Sequence, residues 1–476
     1  MSRRTKIVAT LGPASSDPAI LERLILAGVD VFRLNFSHGT EADHIARAEL
    51  VRGVARGINR TVGILADLQG PKIRVGKFEQ GRITLVSGAA FLLDAECPLG
   101  NQERVGLDYP ELPNDVHSGD TLLLDDGKIE LAVEKVIGPV VHTRVVQGGV
   151  LSNNKGINRR GGGLTAPALT AKDYDDIRTA AKMQADFLAV SFPRSGDDMR
   201  EARTLMRAAG GTAQLMAKIE RAEAIEALDD IIDASDCIMV ARGDLAVEVG
   251  DAAVPAMQKR MIRAARRKNK AVVTATQMME SMISSPVPTR AEVSDVANAV
   301  IDGTDAVMLS AESAVGQFPV ETVAAMARVC LEAEKEVLTH AIGQDTAYVP
   351  PITQAEMAIS HAVVFTARHL GVKAIAALTA SGTTARYMSA MDVAVPIYAM
   401  SPSEETQRKV TLLKGVHPVS FEHGRDPEEV LHQAEACLKA LGAVSNGDLI
   451  LLTIGEPIGK PGGTNTMKII KIGAHD

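Results

Sequence analysis

Eight short apolar segments, each followed by a stretch with helical periodicity, constrain the fold of this chain more than any other feature. They cover residues 6–11, 30–36, 61–68, 187–192, 213–220, 237–243, 271–277 and 306–312. Strands that alternate with helices pair in parallel, and eight such units are the number that closes a (β/α)8 barrel. The sequence therefore predicts an α/β protein built on a TIM barrel.

Polar side chains follow most of these segments, at the point where each predicted strand ends. Barrel enzymes place their chemistry at this face, because the loops that leave the strands meet there. We therefore expect the functional site at this end of the barrel. The polar residues are Thr10, Arg33, Asn35, Ser37, Asp67, Ser191, Lys218, Glu220, Arg242, Asp244, Thr276, Ser310 and Glu312.

Residues 213–244 form a single strand–helix–strand unit with charged residues at its strand ends. Lys218 and Glu220 lie two positions apart in one strand and therefore point to the same face. Asp244 follows the next strand, which a parallel arrangement brings out at the same end of the sheet. Two carboxylates and an ammonium suit a divalent metal and an anionic substrate. The alternative is a rim salt bridge between Lys218 and Glu220, with Asp244 merely solvated.

The spacing of the apolar segments is regular except between the third and the fourth, where a long insertion intervenes. Its short alternating segments, broken by Gly, Pro, Asn and Asp, predict a small all-β lid domain over residues 70–166. A second α/β pattern follows the barrel, with strands near residues 374–378, 396–399, 416–421 and 448–454. The predicted domains are a barrel (1–69 and 167–345), the inserted lid (70–166) and a C-terminal α/β regulatory domain (346–476).

Composition argues against several classes of function. With a formal net charge of -8, 3% aromatic residues and no Trp, the chain lacks the basic footprint and stacking platforms of nucleic-acid-binding proteins. Its four cysteines show no C-x-x-C spacing, which favours reduced thiols over disulfides or a zinc site. No apolar run reaches membrane-spanning length, and no signal-peptide pattern opens the chain. We expect a cytoplasmic protein without a membrane or nucleic-acid partner.

A series of strings in the sequence resembles the pyruvate kinase family in content and order. They are TKIVATLGPAS, RLNFSHG, DLQGPKIR, LSNNKG, AKIERAEAI, MVARGDLAVE, TATQMMESM and TRAEVSDVANAVIDGTDAVMLS, with TNTM at residues 464–467. The resemblance covers nearly the whole chain and is closest to bacterial members. It implies a glycolytic phosphotransferase that moves the phosphoryl group of phosphoenolpyruvate to ADP, giving pyruvate and ATP. It also implies Mg2+, for which Mn2+ could substitute, and a homotetramer.

Positions that match the family's motifs acquire roles through this resemblance. Phosphoryl transfer needs positioning and charge neutralisation more than covalent chemistry, which these residue types supply. The implied metal ligands are Glu220 and Asp244, and the implied catalytic residues are Lys218, Thr276, Arg33 and Ser310. The implied substrate contacts are Arg33, Arg74, Ser191, Lys218, Gly243, Asp244 and Thr276. The implied nucleotide contacts are Pro13, Asn35, His38, Arg74 and Lys155.

The resemblance also bears on the monovalent ion. Potassium-activated members have an acidic residue after Gly-Pro and a Thr after the aspartate, where this chain has Lys72 and Leu68. An ammonium near Asn35, Ser37 and Asp67 would replace the ion, since a second cation beside it is repelled. We therefore predict that activity does not require potassium. The alternative is that Lys72 is an exposed charge with no part in ion choice.

The string LTASGTTA, between an apolar strand and a helical pattern, predicts an effector site in the C-terminal domain. Hydroxyls and backbone N–H groups at a helix N-terminus form a phosphate cradle, and the family binds its sugar-phosphate activator at this loop. The predicted effector residues are Thr379, Ser381, Gly382, Thr383 and Thr384. An ordinary turn with Ser and Thr as helix caps is the alternative.

The loop over residues 456–463 bears on which effector binds. It reads EPIGKPGG and lacks the Trp and Arg that responders to fructose 1,6-bisphosphate use for the second phosphate. Lys460 could partly replace the arginine. We expect a monophosphate such as glucose 6-phosphate, ribose 5-phosphate or AMP to activate more strongly than the bisphosphate.

Two other functions stay open at this point. A Mg2+-dependent 2-oxoacid (pyruvate) aldolase also uses a Glu and an Asp on neighbouring barrel strands, but it leaves the lid, Lys218 and Lys155 unexplained. A sugar-phosphate sensor that uses only the C-terminal domain would leave the barrel residues without a role. The segment Arg159-Arg160-Gly161-Gly162-Gly163 is more basic than the family's usual lid segment, and the sequence assigns it no role.

Overall fold

A computed structural model describes residues 3–341, 352–424, 426–457 and 463–474 of the chain. Across these ranges, no helix combines the length and the apolar character needed to span a membrane.

Two strand–helix units and a third strand begin the described chain, and local sequence explains where the two helices start. Asp17 accepts hydrogen bonds from the backbone N–H groups of Ala19 and Ile20, which the first helical turn leaves without partners. Thr40 and Asp43 cap the second helix reciprocally. The elements are β1 (Lys6–Thr10), α1 (Pro18–Ala27), β2 (Val31–Asn35), α2 (Glu41–Gly57) and β3 (Gly63–Asp67), with a 3-10 turn at Pro13–Ser15.

The insertion after β3 forms β-sheets around an apolar core of its own, in which Phe91, Leu93 and Leu124 are fully buried. Its elements are β4 (Arg82–Leu85), β5 (Ala90–Asp94), β6 (Arg104–Val105), α3 (Leu112–Asp115), β7 (Thr121–Leu124), β8 (Ile129–Ile137), β9 (Val140–Gln147), β10 (Gly149–Ser152) and β11 (Ile157–Arg159). One sheet has the order β11-β7-β8-β9-β5-β6, and β10 pairs with β4 in another. The insertion, called the lid below, is therefore rich in β-strands, as the sequence predicts, and it also contains the short helix α3.

The chain then returns to alternating strands and helices. These are α4 (Ala171–Lys182), β12 (Phe187–Val190), α5 (Gly196–Ala208), β13 (Gln214–Ile219), α6 (Ala222–Glu226), α7 (Leu228–Ala234), β14 (Cys237–Ala241), α8 (Arg242–Val249), α9 (Val254–Arg267), β15 (Ala271–Ala275), α10 (Arg290–Ile301), β16 (Ala306–Leu309), α11 (Ala311–Ala314) and α12 (Pro319–Ala341). Short 3-10 turns lie at Asp251–Ala253 and Glu280–Ile283.

Eight parallel strands close into a barrel in the order β1-β16-β15-β14-β13-β12-β3-β2. Parallel barrel strands are buried on both faces, which is why their sequences are almost uniformly apolar. Ile7 belongs to the apolar cluster that includes Leu24 of α1, whereas Val8 belongs to a second cluster with Leu65 and Met216 of other barrel strands. The predicted (β/α)8 fold class is confirmed.

The C-terminal region forms a five-stranded sheet with helices between its strands. The elements are α13 (Ala355–Leu370), β17 (Ala374–Leu378), α14 (Thr383–Ala390), β18 (Ile397–Ser401), α15 (Glu404–Lys409), a 3-10 turn (Val410–Leu412), β19 (Val416–Ser420), α16 (Pro427–Ala440), β20 (Leu449–Gly455) and β21 (Thr464–Lys471). The strand order is β19-β18-β17-β20-β21. The sequence reading missed β21, which pairs antiparallel with β20. The sequence TNTMKIIK contains no continuous apolar run, so only the pairing with β20 identifies it as a strand.

The C-terminal domain packs against the amino-terminal ends of the barrel strands. Nζ of Lys6 donates a hydrogen bond to the carbonyl oxygen of Val416 at 2.6 Å. Arg408 in α15 pairs with Asp186, directly before β12, at 2.8 Å. The domain therefore lies at the opposite end of the barrel from the predicted catalytic residues. The exact domain boundaries stay predictions, and the one at residue 345 falls outside the described residues.

Candidate active site

Lys218 lies near the end of β13 and is surrounded by oxygen atoms. Its Nζ atom is 2.9 Å from Oε1 of Glu220 and 3.4 Å from Oδ1 of Asp67. It also donates a hydrogen bond to Oγ of Ser191 at 2.7 Å, and its side chain is only 12% exposed. Three neighbouring barrel strands, β13, β12 and β3, therefore converge on one ammonium group.

Arg33 extends this cluster from β2. Its Nε atom is 2.5 Å from Oδ2 of Asp67, and its Nη1 atom donates to Oγ1 of Thr10 at 3.1 Å. The Asp67 side chain is 1% exposed and lies between two cations. The result is a fixed array of positive charge at the barrel mouth, suited to an anionic ligand.

The pKa values in this cluster reflect mutual compensation of charge. Burial disfavours the charged form of Lys218, but Asp67 and Glu220 outweigh burial and raise the pKa of this lysine. Burial also opposes ionisation of Asp67, yet Lys218 and Arg33 together lower its pKa. For Glu220 burial prevails over Lys218 and raises the pKa, and the charge of Asp244 adds to this rise. A cation between Glu220 and Asp244 would therefore relieve a repulsion.

Ser191, directly after β12, connects the end of β3 with Lys218 of β13 through its hydroxyl. Its hydroxyl donates to the carbonyl oxygen of Leu68 at 2.7 Å and accepts the hydrogen bond from Lys218. Gly70 packs so closely here that an added Cβ would lie 2.7 Å from Cβ of Ser191, and its φ is +65°. The close approach and the positive φ both require glycine at this position.

Gly243 and Asp244 lie in the first turn of α8, beside Thr276. The backbone N–H of Gly243 donates to Oγ1 of Thr276 at 2.8 Å, and this hydroxyl donates to the carbonyl oxygen of Ala275 at 2.6 Å. Thr276 has φ +70°, which is strained for a β-branched residue. A cleft of about 750 Å3 lies over these residues, and the lid residue Arg160 contributes to its wall. Strain is therefore stored at the edge of the candidate site.

The Lys72 ammonium pairs with one carboxylate of the barrel and one of the lid. Its Nζ atom is 3.0 Å from Oδ1 of Asp244 and 3.9 Å from Oδ1 of the lid residue Asp126. The neighbours predicted for its ammonium were Asn35, Ser37 and Asp67. Asp67 instead pairs with Arg33 and Lys218, and the part of Lys72 in the choice of monovalent ion stays a prediction. Leu68 is buried directly after β3.

The predicted nucleotide contacts of the barrel lie together on its rim. Pro13 opens the 3-10 turn that follows β1, and its side chain is exposed. Asn35 ends β2, and its Oδ1 atom accepts a hydrogen bond from the backbone N–H of Ser37 at 3.1 Å. His38 is exposed directly after this turn. Pro13 follows β1, whereas Asn35 and His38 lie at the end of the neighbouring strand β2, which also carries Arg33.

The predicted nucleotide contacts of the lid lie on two segments that are joined by backbone hydrogen bonds. Arg74 pairs with Gly156 in an isolated β-bridge, and its Nη1 atom donates to the carbonyl oxygen of Asn154 at 3.3 Å. Lys155 lies between these partners, and its Nζ atom is 2.7 Å from Oδ1 of Asp125. The structure therefore groups Arg74 and Lys155 as two cations of the lid.

Two buried side chains position the loops that carry Thr276 and Ser310, and the sequence reading gave neither a role. Arg242 pairs with Asp295 at 2.6 Å and donates to the carbonyl oxygen of Thr276 at 2.7 Å. Glu312 accepts hydrogen bonds from the backbone N–H groups of Ser310 at 2.7 Å and Met279 at 3.2 Å. Both residues follow a strand, which was a signal in the sequence, but the partners that link these loops, Asp295 and Thr276 for Arg242 and Met279 for Glu312, lie more than thirty residues away in the chain.

Glu248 in α8 joins the lid to the barrel. It accepts hydrogen bonds from the first backbone N–H of α6 at 2.9 Å and from Nδ2 of the lid residue Asn158 at 3.3 Å. Burial raises its pKa to about 7. The backbone N–H of Gly161 donates to the carbonyl oxygen of Glu248, and Gly163 bonds to Glu223 in α6. Residues 159–163 are therefore an attachment of the lid to the barrel.

The predicted effector residues lie in one turn between β17 and α14. The backbone N–H of Gly382, which has φ +81°, donates to Oγ1 of Thr379 at 2.8 Å. Oγ of Ser381 lies 2.9 Å from Oγ1 of Thr383. The buried Thr384 hydroxyl instead donates to Glu356 of α13 at 2.7 Å. Thr384 can therefore offer a ligand its backbone more readily than its hydroxyl. Lys460 lies outside the described residues.

The donor set at the barrel mouth fits a magnesium ion held partly by other ligands. Within the described ranges, no group of three or more His, Cys, Asp or Glu side chains could hold a metal. Glu220 and Asp244 would supply two hard oxygen ligands, and Mg2+ commonly completes its octahedron with water and substrate oxygens.

Comparison with known proteins identifies the family. Residues 2–323 match the family model "Pyruvate kinase, barrel domain", and residues 357–470 match "Pyruvate kinase, alpha/beta domain". Pyruvate kinase II of Salmonella typhimurium is 53% identical over 99% of both chains. Pyruvate kinase of Haemophilus influenzae is 53% identical over 95% of this chain and 96% of that protein. Pyruvate kinase of Methylorubrum extorquens is 43% identical over 98% and 97%. The chain belongs to the pyruvate kinase family.

Proposed function

We propose that this chain transfers the phosphoryl group of phosphoenolpyruvate to ADP and releases pyruvate and ATP. The bond between phosphorus and the enol oxygen breaks, a bond to a terminal phosphate oxygen of ADP forms, and the enolate gains a proton at carbon 3. The observation that carries the proposal is the convergence of Lys218, Arg33 and buried carboxylates at the barrel mouth. Such compensated charge suits a reaction that depends on positioning and electrostatics.

Lys218 is the residue proposed to stabilise the transferring group. Its ammonium is held by Asp67, Glu220 and Ser191, and its raised pKa keeps it charged throughout the physiological range. Positive charge fixed before the reaction costs no reorganisation when negative charge shifts in the transition state. Arg33, anchored on Asp67, would contact the phosphate from the neighbouring strand, with Ser191 and Arg74 as further phosphate contacts.

The other end of phosphoenolpyruvate would lie over the first turn of α8. Backbone N–H groups there, including those of Gly243 and Asp244, suit a carboxylate, since a helix N-terminus favours anions. Thr276 and Ser310 are proposed to deliver the proton to carbon 3, directly or through water. Support comes from the strained backbone of Thr276, which places its hydroxyl beside Gly243.

Glu220 and Asp244 are proposed to hold Mg2+, on which the pyruvate kinase family generally depends, and Mn2+ could substitute. The bound ion would supply Lewis-acid stabilisation of the developing charge. Lys72 contacts Asp244 and therefore already contributes positive charge to this side of the site. ADP would bind along the rim of Pro13, Asn35 and His38, with Lys155 of the lid reaching its phosphates.

We further propose that activity is independent of potassium. The support is that two cations compensate Asp67 and that Lys72 supplies a third cation at Asp244. An additional monovalent cation would be repelled by these charges. Potassium independence is therefore proposed from the local balance of charge. Lys72 contributes to this balance through Asp244 and not through Asn35, Ser37 or Asp67.

Regulation is proposed to act through the turn at residues 379–384. Its backbone N–H groups and the hydroxyls of Thr379, Ser381 and Thr383 form one cradle at the start of α14. A single cradle favours a sugar monophosphate or AMP over a bisphosphate. A cytoplasmic homotetramer is proposed on the basis of family membership alone.

A coupled assay that follows pyruvate tests the proposal. We expect product only when phosphoenolpyruvate, ADP and Mg2+ are all present, with ATP formed in equal amount. Aldol cleavage that needs no ADP would favour the 2-oxoacid aldolase, which family membership does not favour. Sugar-phosphate binding without any turnover would leave only the sensor function.

A further inference from the structure

A cavity of about 580 Å3 lies between the barrel and the C-terminal domain, at the opposite end from the active site. One wall comes from the end of α2 and the loop that leads to β3, and the other from α15, β19 and α16. It shares no lining residue with the catalytic cleft or with the turn at residues 379–384. A volume of this size is typical of sites for small metabolites.

The lining of this cavity is strongly basic. It contains four arginines, Arg52, Arg56, Arg60 and Arg408. The single carboxylate of the lining belongs to Glu404, whose side chain is 82% exposed. Arg56 and Arg60 are exposed to solvent and form no ion pair within the described part of the chain. This excess of positive charge is unusual in a chain whose net charge is -8.

Protein contacts hold the two inner guanidinium groups in place. Nε of Arg408 is 2.8 Å from Oδ1 of the buried Asp186. The Nη atoms of Arg52 donate to the carbonyl oxygens of Met183 at 2.7 Å and Gln184 at 2.5 Å, and its Nε atom is buried without a partner. Anchored guanidinium groups lose little further freedom when they bind an anion, which favours binding.

The electrostatic environment of Arg52 shows the same lack of negative charge. Burial lowers the pKa of Arg52, and Arg408 and Arg56 lower it further, while Asp186 and Glu404 raise it. An anion in the cavity would offset this repulsion. Neutral polar groups of Asn59, Thr61 and Ser420 also face the cavity and could bond to hydroxyls.

We propose that this interdomain cavity binds a small phosphorylated metabolite, separately from the catalytic cleft and from the effector turn. Several guanidinium groups and one exposed carboxylate match a phosphate dianion, with which arginine forms paired hydrogen bonds. The cavity is much larger than a phosphate group, so the remaining volume and the neutral polar lining suit a hydroxylated body such as a sugar.

The cavity is connected to the strands that carry the catalytic cluster. Asp186 holds Arg408 with one oxygen and accepts a hydrogen bond from the backbone N–H of Ile64 in β3 with the other, at 2.8 Å. β3 ends at Asp67, and β12, which follows Asp186, leads to Ser191. A ligand that moves Arg408 would therefore act on both strands, and its binding would change the affinity for phosphoenolpyruvate.

Calorimetric titration of the full chain with glucose 6-phosphate and, in a second arm, with inorganic phosphate tests this proposal. All variants carry Thr383→Glu, so that the effector turn does not contribute. We expect this background to bind glucose 6-phosphate and the added changes Arg56→Gln and Arg60→Gln to weaken binding by at least about tenfold. The matched control is Arg207→Gln with Arg328→Gln, two exposed arginines that form no ion pair in the described ranges.

Circular dichroism and the Tm establish that all variants are folded. Equal affinity in the Arg56/Arg60 variant and in the Arg207/Arg328 control would overturn the proposal, as would the absence of saturable binding in the Thr383→Glu background. Tighter binding of glucose 6-phosphate than of inorganic phosphate assigns the site to a sugar phosphate, whereas equal binding assigns it to the phosphate group alone. If Thr383→Glu alone binds glucose 6-phosphate as the unmodified chain does, the effector-turn proposal fails. The comparison of the arginine variants still decides whether the cavity binds the ligand.

Discussion

The two ends of the barrel differ in whether their cationic side chains are paired with carboxylates. At the mouth, Lys218 and Arg33 both lie within ion-pair distance of the buried Asp67, and the cluster is closed. At the far end, Arg56 and Arg60 line a cavity with no carboxylate partner in the described residues. A compensated array stabilises charge that moves within a bound substrate, whereas an uncompensated one attracts charge from solution.

A count of charged residues therefore does not identify a catalytic site. The far end has four arginines, of which Arg408 pairs with the buried Asp186, but Arg56 and Arg60 have no carboxylate that fixes their positions within the described residues. The effector turn is a third case, because it offers hydroxyls and backbone N–H groups without any cation of its own. Substitutions at the barrel mouth, in the interdomain cavity and in the effector turn test whether these three sites have different functions.

The largest effect is expected at the mouth. Lys218→Met should lower kcat by roughly 10²-fold or more, because the fixed ammonium acts in the transition state, while KM for phosphoenolpyruvate changes much less. Steady-state kinetics measure both constants. Lys182→Met, at an exposed lysine, is the control and should behave as the unmodified chain. A near-normal kcat for Lys218→Met would remove this residue from the mechanism.

Glu220→Gln should weaken divalent-metal binding. Loss of one of two carboxylate ligands is expected to lower Mn2+ affinity by at least about tenfold, in line with the sensitivity of metal sites to their ligand shells. Electron paramagnetic resonance of Mn2+ without substrates measures this directly, and Glu41→Gln on the exposed surface serves as control. Unchanged Mn2+ affinity would exclude Glu220 as a ligand.

Glu248 should make stability depend on pH. Burial raises its folded-state pKa to about 7 from an ordinary value of 4.5, so the native state retains a proton that the unfolded chain has lost. This contribution is fully present below pH 4.5 and is lost as pH rises through 7. Compared with Glu248→Gln, the unmodified chain should lose roughly 1 to 3 kcal/mol of unfolding free energy over this range. Urea unfolding at several pH values measures the difference, and parallel profiles would contradict the assignment.

Thr383→Glu should weaken activation by a monophosphate by about fivefold or more, because the new carboxylate repels the phosphate. Thr384 is unsuitable for this change, since its buried hydroxyl bonds to Glu356 and a second carboxylate there would disturb packing. Initial rates at low phosphoenolpyruvate measure the effect with glucose 6-phosphate, ribose 5-phosphate and AMP. Stronger activation by fructose 1,6-bisphosphate than by any monophosphate would overturn the single-cradle proposal.

The smallest effect is expected from potassium. Rates in tetramethylammonium chloride should equal those in KCl at the same ionic strength, because the cations of the mouth already balance its negative charge. A large activation by KCl would show that the charge at the mouth is incompletely compensated.

Sequence periodicity determined the fold and the centre of the site. The eight alternating units predicted the closed barrel, and the two-residue spacing of Lys218 and Glu220 placed both at its mouth. These features are local, since strand period and strand end follow from neighbouring residues alone. Sequence periodicity did not predict the strand β21, because only its pairing with β20 defines it.

Tertiary structure alone decided the partners of charged residues that belong to distant elements. Lys72 contacts Asp244, whereas Asp67 pairs with Arg33 and Lys218, and Arg242 reaches Asp295 and the loop after β15. The arginines of the interdomain cavity lie on elements separated by most of the chain. Charge pairing depends on distance and burial in space, which residue spacing does not specify once the partners belong to different elements.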